Sequence, residues 1–125
     1  MLERMLGVIS KRAATRLSEP NISATVRHKK QKHEQEQDVV LMNISSIGLR
    51  FKSFDGYKIG EKLWFDIRSN EEKPLLSLSI RGKIVNYYGV GDDNLHNYGV
   101  RFYRFRFMNE VERINYYVHT HVELL

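Results

Sequence analysis

The chain has 125 residues, no cysteine, 42% hydrophobic and 28% charged residues, and a formal net charge of +5. That length suits one domain around one core. It holds no disulfide framework, no thiolate nucleophile and no cysteine-based metal site, and no apolar run approaches the ~18 residues of a membrane span. The charge is unevenly placed: residues 1–33 carry eight basic against two acidic side chains, net +6, and the rest carry twelve against thirteen, net −1. Such asymmetry suggests an anionic partner, with a solubilising basic tail as the plain alternative.

The opening "MLERMLGVIS" is interrupted by Glu3 and Arg4 and does not read as a secretory leader, so a cytoplasmic protein is expected. Met1, Leu2, Met5, Leu6 and Ile9 make a helical stripe over residues 1–10. Ten residues are too few for a helix that is stable alone, so this amphipathic arm needs a surface to pack on. "KRAATR" follows, with Arg12 and Arg16 four apart. As a helix it would set like charges at i, i+4, and Pro20 disfavours helix just beyond it. A loop is expected there.

Short strands then alternate with turns. "ISATVRHK" (22–29) sets Ile22, Ala24 and Val26 on one face, and "QDVVLMN" (37–43) is a short apolar run. "IGLRFKS" (47–53) alternates with Ile47, Leu49 and Phe51 inward. "EKLWFDIR" (61–68) follows a turn with Asp55-Gly56 and Gly60; its Trp64 is expected in the core or under a helix. "LLSLSIRGKIVNYY" (75–88) is long, with Gly82 as a candidate bend or bulge. "NYGVRFYRF" (97–105) must bulge or end near Tyr103, because Phe102 and Phe105 fall on opposite faces. Met108, Val111, Ile114, Val118 and Val122 then recur at helical spacing behind an Asn109 cap with Glu112 three residues on. The expected fold is all-β: a six-stranded antiparallel barrel with a C-terminal helix at about 109–121 and a short N-terminal arm.

Catalysis has little support. There is no phosphate-binding glycine loop and no zinc-type ligand spacing. His119 and His121 lie two apart on the helix, His28 and His33 sit in the charged run "RHKKQKHEQEQD", and Asp92 and Asp93 lie in a loop with no partner to tune them. The informative turn is "NISSIGLRF" (43–51): Asn43 and Ser45 both donate and accept hydrogen bonds, and Gly48 suits a close turn or a close ligand. On its own the stretch reads as a polar hairpin turn.

Arg12-x-x-x-Arg16 followed by Asn43-x-Ser45-x-x-Gly48 at a strand connection resembles the signature of the PilZ family, and "RGKIV" (81–85) and "YGVRF" (98–102) before a final helix resemble the rest of such a domain. The resemblance spans nearly all of residues 11–122. It implies a β-barrel receptor for the bacterial second messenger cyclic di-GMP, with no further cofactor, no metal and no catalysis. Carried over, Arg12 and Arg16 grip phosphates and guanine faces, Asn43 and Ser45 hydrogen-bond the ligand, and Gly48 lets the backbone turn beneath it. Asn43 stands where many members have Asp. Lys11 stands where some have a third Arg and hold a stacked pair of nucleotides. Beside the resemblance, from the strand pattern alone, Arg101 or Arg104 is a further lining candidate, and Tyr87 and Tyr88 are candidates to stack beside the ligand.

Arginine suits such a ligand: it bonds phosphate and guanine O6/N7 in bidentate fashion and stacks on purines. Ligand capture by the "KRAATR" segment is expected to reposition residues 1–10 and so change a contact with an unidentified effector protein, in motility, exopolysaccharide synthesis or another output. A monomer is expected. Two other readings stand beside this one. One is a basic barrel that binds nucleic acid, drawing on the interleaved "RFYRFRF" (101–107). The other is a PilZ-like adaptor that binds no ligand.

Overall fold

The computed structural model describes residues 16–18, 21–28, 36–103 and 109–122. Seven strands and one helix follow in order: β1 (Arg16–Ser18), β2 (Ile22–His28), β3 (Gln37–Ser45), β4 (Gly48–Ser53), β5 (Lys62–Ser69), β6 (Ser77–Val90), β7 (His96–Phe102) and α1 (Asn109–Val122). The sheet runs β1-β3-β2-β5-β6-β7-β4, and β4 returns to pair with β3. Six strands therefore close into a mainly β, antiparallel barrel, as expected. β1 is the extra strand. It pairs with the last three residues of β3 (Arg16↔Ser45, Leu17↔Ile44, Ser18↔Asn43), on the edge where β2 pairs with the first three (Val26↔Gln37 to Ala24↔Val39). The expected loop at "KRAATR" is thus corrected at its last residue: Arg16 is in a strand because Leu17 is buried against the core and draws its neighbours into register.

Period-two alternation makes the barrel. Val26, Leu63, Phe65, Ile67, Ile80 and Ile84 alternate inward and are at most 2% exposed. Each such side chain contributes ~1.5–3 kcal/mol by burial. Phe51, Phe65 and Tyr98 fill the middle, with ring centroids 5.3–5.5 Å apart around Phe51. Gly82 is not the bulge: its register is regular, opposite Leu63 and Phe102. It points inward, and a Cβ there would press on Val100 and the Phe65 ring, 2.9 Å from Cε2. A bare backbone at this position lets β6 sit close to the bulky inner layer.

β7 ends at Phe102, which is buried, so the strand stops where the alternation required it to. Phe105 lies outside the described residues. Trp64 corrects the expectation of a core ring. It lies between inward Leu63 and Phe65 and so faces outward, half-buried, with the Arg27 and Arg81 guanidinium carbons 5.2 and 4.4 Å from the ring centroid.

The helix packs on β1 and β3 through buried Ile114, Tyr117 and Val118. Arg113 Nη2 donates to the Ser77 carbonyl at 2.5 Å, and the Tyr117 hydroxyl donates to Glu71 Oε2 at 3.4 Å. Glu110 and Glu112 in the first turn complement the helix dipole, and the Nδ1 atoms of His119 and His121 lie 2.9 and 2.8 Å from the Asn115 and Tyr117 carbonyl oxygens of the last turns. His121 stacks on Tyr117 at 3.8 Å, while His119 is exposed. No described helix is long and apolar enough to cross a membrane, and no group of three or more His, Asp or Glu side chains poised for a metal occurs among the described residues.

Candidate ligand-binding site

The site is built by two irregularities in otherwise regular strands. Val39 is partly buried and Leu41 buried, so plain alternation would carry Asn43 and Ser45 inward as well. The register slips between Leu41 and Asn43. One extra residue re-aims everything after it: Ile44 turns into the core at 0% exposure, and Asn43 and Ser45 flank it on the other face. β6 slips likewise between Ile84 and Asn86 and again between Tyr87 and Gly89. Ile84 is the last fully buried residue of that strand; beyond it Val85, Asn86 and Tyr88 turn to the same outer surface.

Between these irregularities lies a concave site of about 570 Å³, counting the solvent in its mouth. Arg16 reaches it from β1, Asn43 and Ser45 from β3, Arg50 from β4, Tyr88 from β6 and Arg101 from β7. Three of its side chains are arginines, and none of the described residues that line it is a carboxylate. Such a cluster concentrates positive potential in a recess and favours an anion.

Five of the sequence candidates therefore meet: Arg16, Asn43, Ser45, Gly48 and Arg101 all line the cavity. Lys11, Arg12 and Arg104 lie outside the described residues. The geometry also divides the candidates by task. The Ser45 hydroxyl accepts from the Ile47 amide at 3.3 Å and lies 3.4 Å from the Gly48 carbonyl oxygen, to which it donates. It braces the two-residue turn between β3 and β4. Ile47 departs from the expected inward row: it sits in that turn, 37% exposed, and its carbonyl accepts from the Phe102 amide at 2.9 Å. Gly48 opens β4 opposite Arg101, and a Cβ there would strike the Val100 carbonyl oxygen. What its bare backbone admits is the neighbouring strand.

Two contributors were missed or half seen. Arg50 stands two residues beyond Gly48 on the same face of β4, so the alternation of Leu49 and Phe51 already pointed it outward. Its Nε donates to Asn97 Oδ1 at 3.0 Å, and its guanidinium carbon sits 3.9 Å from the Tyr88 ring centroid. The two side chains meet above Gly99, whose missing Cβ would fall 3.2 Å from the Tyr88 hydroxyl. This is a preformed cation–π pair at the rim. The paired tyrosines separate: Tyr88 joins the cavity, and Tyr87 packs at 5.2 Å on Tyr98 with its hydroxyl 2.9 Å from His96 Nδ1. Neighbours on a strand face opposite ways, and the first slip in β6, after Ile84, is what puts Tyr87 on the Tyr98 side and Tyr88 outward; nothing in "VNYYGV" announces it.

Away from the cavity the barrel end is closed by tyrosines. The Tyr57 amide donates to the Tyr98 hydroxyl at 2.7 Å. Burial, helped by the nearby Asp55 charge, pushes the Tyr57 phenol up to about 12, and burial raises Tyr98 as well.

The PilZ domain model matches residues 10–118 of the sequence. The chain belongs to the PilZ family. No curated protein matches it in sequence. Among solved structures this PilZ chain is similar to the Bacillus subtilis inhibitor of motility MotI/DgrA, with TM-score 0.72, 16% identity, and coverage of 90% of this chain and 51% of that one. It is similar to the PilZ domain of Escherichia coli YcgR solved with c-di-GMP, with TM-score 0.62, 12% identity, and coverage of 90% and 95%. It is also similar to the K. pneumonia MrkH–c-di-GMP complex, with TM-score 0.70, 14% identity, and coverage of 90% and 52%. The PilZ chain thus spans about half the length of MotI and MrkH and nearly all of the isolated YcgR domain. At these identities the likeness is one of fold.

Proposed function

We propose that this PilZ chain is a receptor for cyclic di-GMP and passes binding on as a changed contact with another protein, without catalysis. One observation carries the reading: Arg16, Arg50 and Arg101 converge with Asn43 on a recess that no described carboxylate lines, at the turn where the family signature lies. The c-di-GMP named with YcgR and MrkH supports the choice of ligand. Arg16 and Arg101 meet the phosphates, Asn43 hydrogen-bonds the ligand, and the Arg50–Tyr88 pair offers a flat cationic surface to a purine. Lys11 and Arg12 join from the segment before β1, as the family signature implies. Charge-assisted hydrogen bonds contribute ~1.5–3 kcal/mol each, and a micromolar site needs about 8 kcal/mol, so three such contacts with stacking suffice.

Isothermal titration of cyclic di-GMP into the wild type, Arg16→Ala and Arg12→Ala/Arg16→Ala tests this, with GTP and cyclic di-AMP as controls. Selective binding by the wild type and its loss in the double variant are expected. No heat from the wild type, with an unchanged melting temperature, overturns the reading.

A further inference from the structure

On the outer face of the barrel, the cross-strand register sets Lys62 directly opposite Lys83, and Lys83 directly opposite Arg101. All three are exposed, and no carboxylate of the described residues pairs with any of them. Like charges facing each other across strands destabilise a sheet. The neighbouring row on the same face is Arg27, Trp64 and Arg81. There Arg27 is partnered by Asp66 at 3.1 Å. Among the described residues no carboxylate partners the Lys62–Lys83–Arg101 row in this way, and at ~4.8 Å per strand it spans ~10 Å. Its last member, Arg101, also lines the ligand cavity.

We infer that this row docks an acidic segment of a partner polypeptide, and that an anion in the cavity competes with that segment for Arg101. The inference rests on the receptor reading for its second half only. Charge complementarity selects an anionic partner, and the aromatics of this face select its kind. The Trp64 ring already has guanidinium groups from the strands on either side against it, and Tyr103 has the Lys62 ammonium 5.7 Å from its centroid. Single-stranded nucleic acid is held by bases stacked on free rings; here those rings are engaged by cations. What the face offers is a line of ammonium and guanidinium groups, matched by carboxylates along an extended or helical segment. Occupancy of the cavity then removes one end of that line.

The test is fluorescence anisotropy of a labelled Glu/Asp-rich 15-residue peptide with the full chain, at low and moderate salt, with and without saturating cyclic di-GMP. A 15-residue oligo-dT serves as competitor. The variants are Lys62→Ser/Lys83→Ser and Lys62→Gln/Lys83→Gln, which remove both charges at exposed positions outside the cavity lining and set no carboxylate opposite Arg101. Peptide affinity is expected to fall at least tenfold in both variants, while cyclic di-GMP affinity stays within about twofold of wild type. Saturating cyclic di-GMP is expected to weaken the peptide at least threefold. Equal peptide binding by wild type and variants, or displacement by oligo-dT at lower concentration than by unlabelled peptide, overturns the docking row. Peptide binding indifferent to bound cyclic di-GMP overturns the competition for Arg101. If the peptide binds through the row but cyclic di-GMP does not bind at all, the receptor reading fails and the docking row stands, with Arg101→Ala weakening the peptide as its remaining check.

Discussion

Gly48→Ala separates two reasons for a glycine at the end of the signature. If the residue is bare so that a ligand can approach, the substitution leaves the empty protein alone. The geometry says otherwise. A Cβ on Gly48 overlaps the Val100 carbonyl oxygen and comes within 3.1 Å of its carbon and 3.3 Å of the Arg101 Cα. All three atoms are backbone, so no side chain can swing aside; the β4–β7 pairing at Gly48↔Arg101 must open. Overpacking of this kind costs ~1–3 kcal/mol. Restricting the unfolded chain returns ~0.4–1 kcal/mol, since Gly48 does not use a positive φ. The net is a loss of roughly 1–2 kcal/mol, a drop of ~4–8 °C in Tm for a domain of this size. The assay is thermal unfolding by circular dichroism without ligand, with Gly56→Ala as control, because a Cβ there meets only the Tyr98 hydroxyl at 3.8 Å. An unchanged Tm for ligand-free Gly48→Ala, together with lost ligand binding, would refute the strand-approach account.

Two further outcomes are expected. Tyr88→Ala removes the ring that holds the Arg50 guanidinium 3.9 Å from its centroid. Because the pair is at the exposed rim its stability effect stays below ~1 kcal/mol, and calorimetry should show the loss in cyclic di-GMP affinity, about five- to twentyfold; an affinity within twofold of wild type removes the pair from the site. Tyr57→Phe reports on the barrel end. The folded protein holds the Tyr57 proton up to about 12 through burial and the Asp55 charge, against an ordinary value near 10. The stabilisation is therefore complete below pH ~10 and is lost as pH rises through ~12, and it amounts to about 1 kcal/mol once discounted for the half of the ring left in solvent. Denaturant midpoints at pH 9 and pH 11.5 should converge less for the wild type than for the variant, and parallel curves would contradict the shift.

Much of the barrel was legible because burial on one face leaves a period of two in the residues, as Leu63, Phe65 and Ile67 show. The same alternation put Trp64 outside, and its size misled where its position did not. Bulges are harder to read. The slip after Leu41 removes no turn residue and adds no glycine, yet it decides that Asn43 and Ser45 face the cavity. β1 was missed because three residues are too few to display a period. Arg50 was available from the phase of β4, whereas Asn86 enters the site only through the β6 slip.

β1 has one more consequence. Its three residues cover a stretch of β3, Asn43 to Ser45, whose outer backbone groups would otherwise form an open sheet edge. Open edges recruit strands from other molecules, and a strand of three residues is among the easiest elements to peel away. A ligand that holds Arg16 therefore holds the cover in place. Occupancy of the site and resistance to self-association belong to one equilibrium, so the ligand-free protein should be the form that aggregates first on storage.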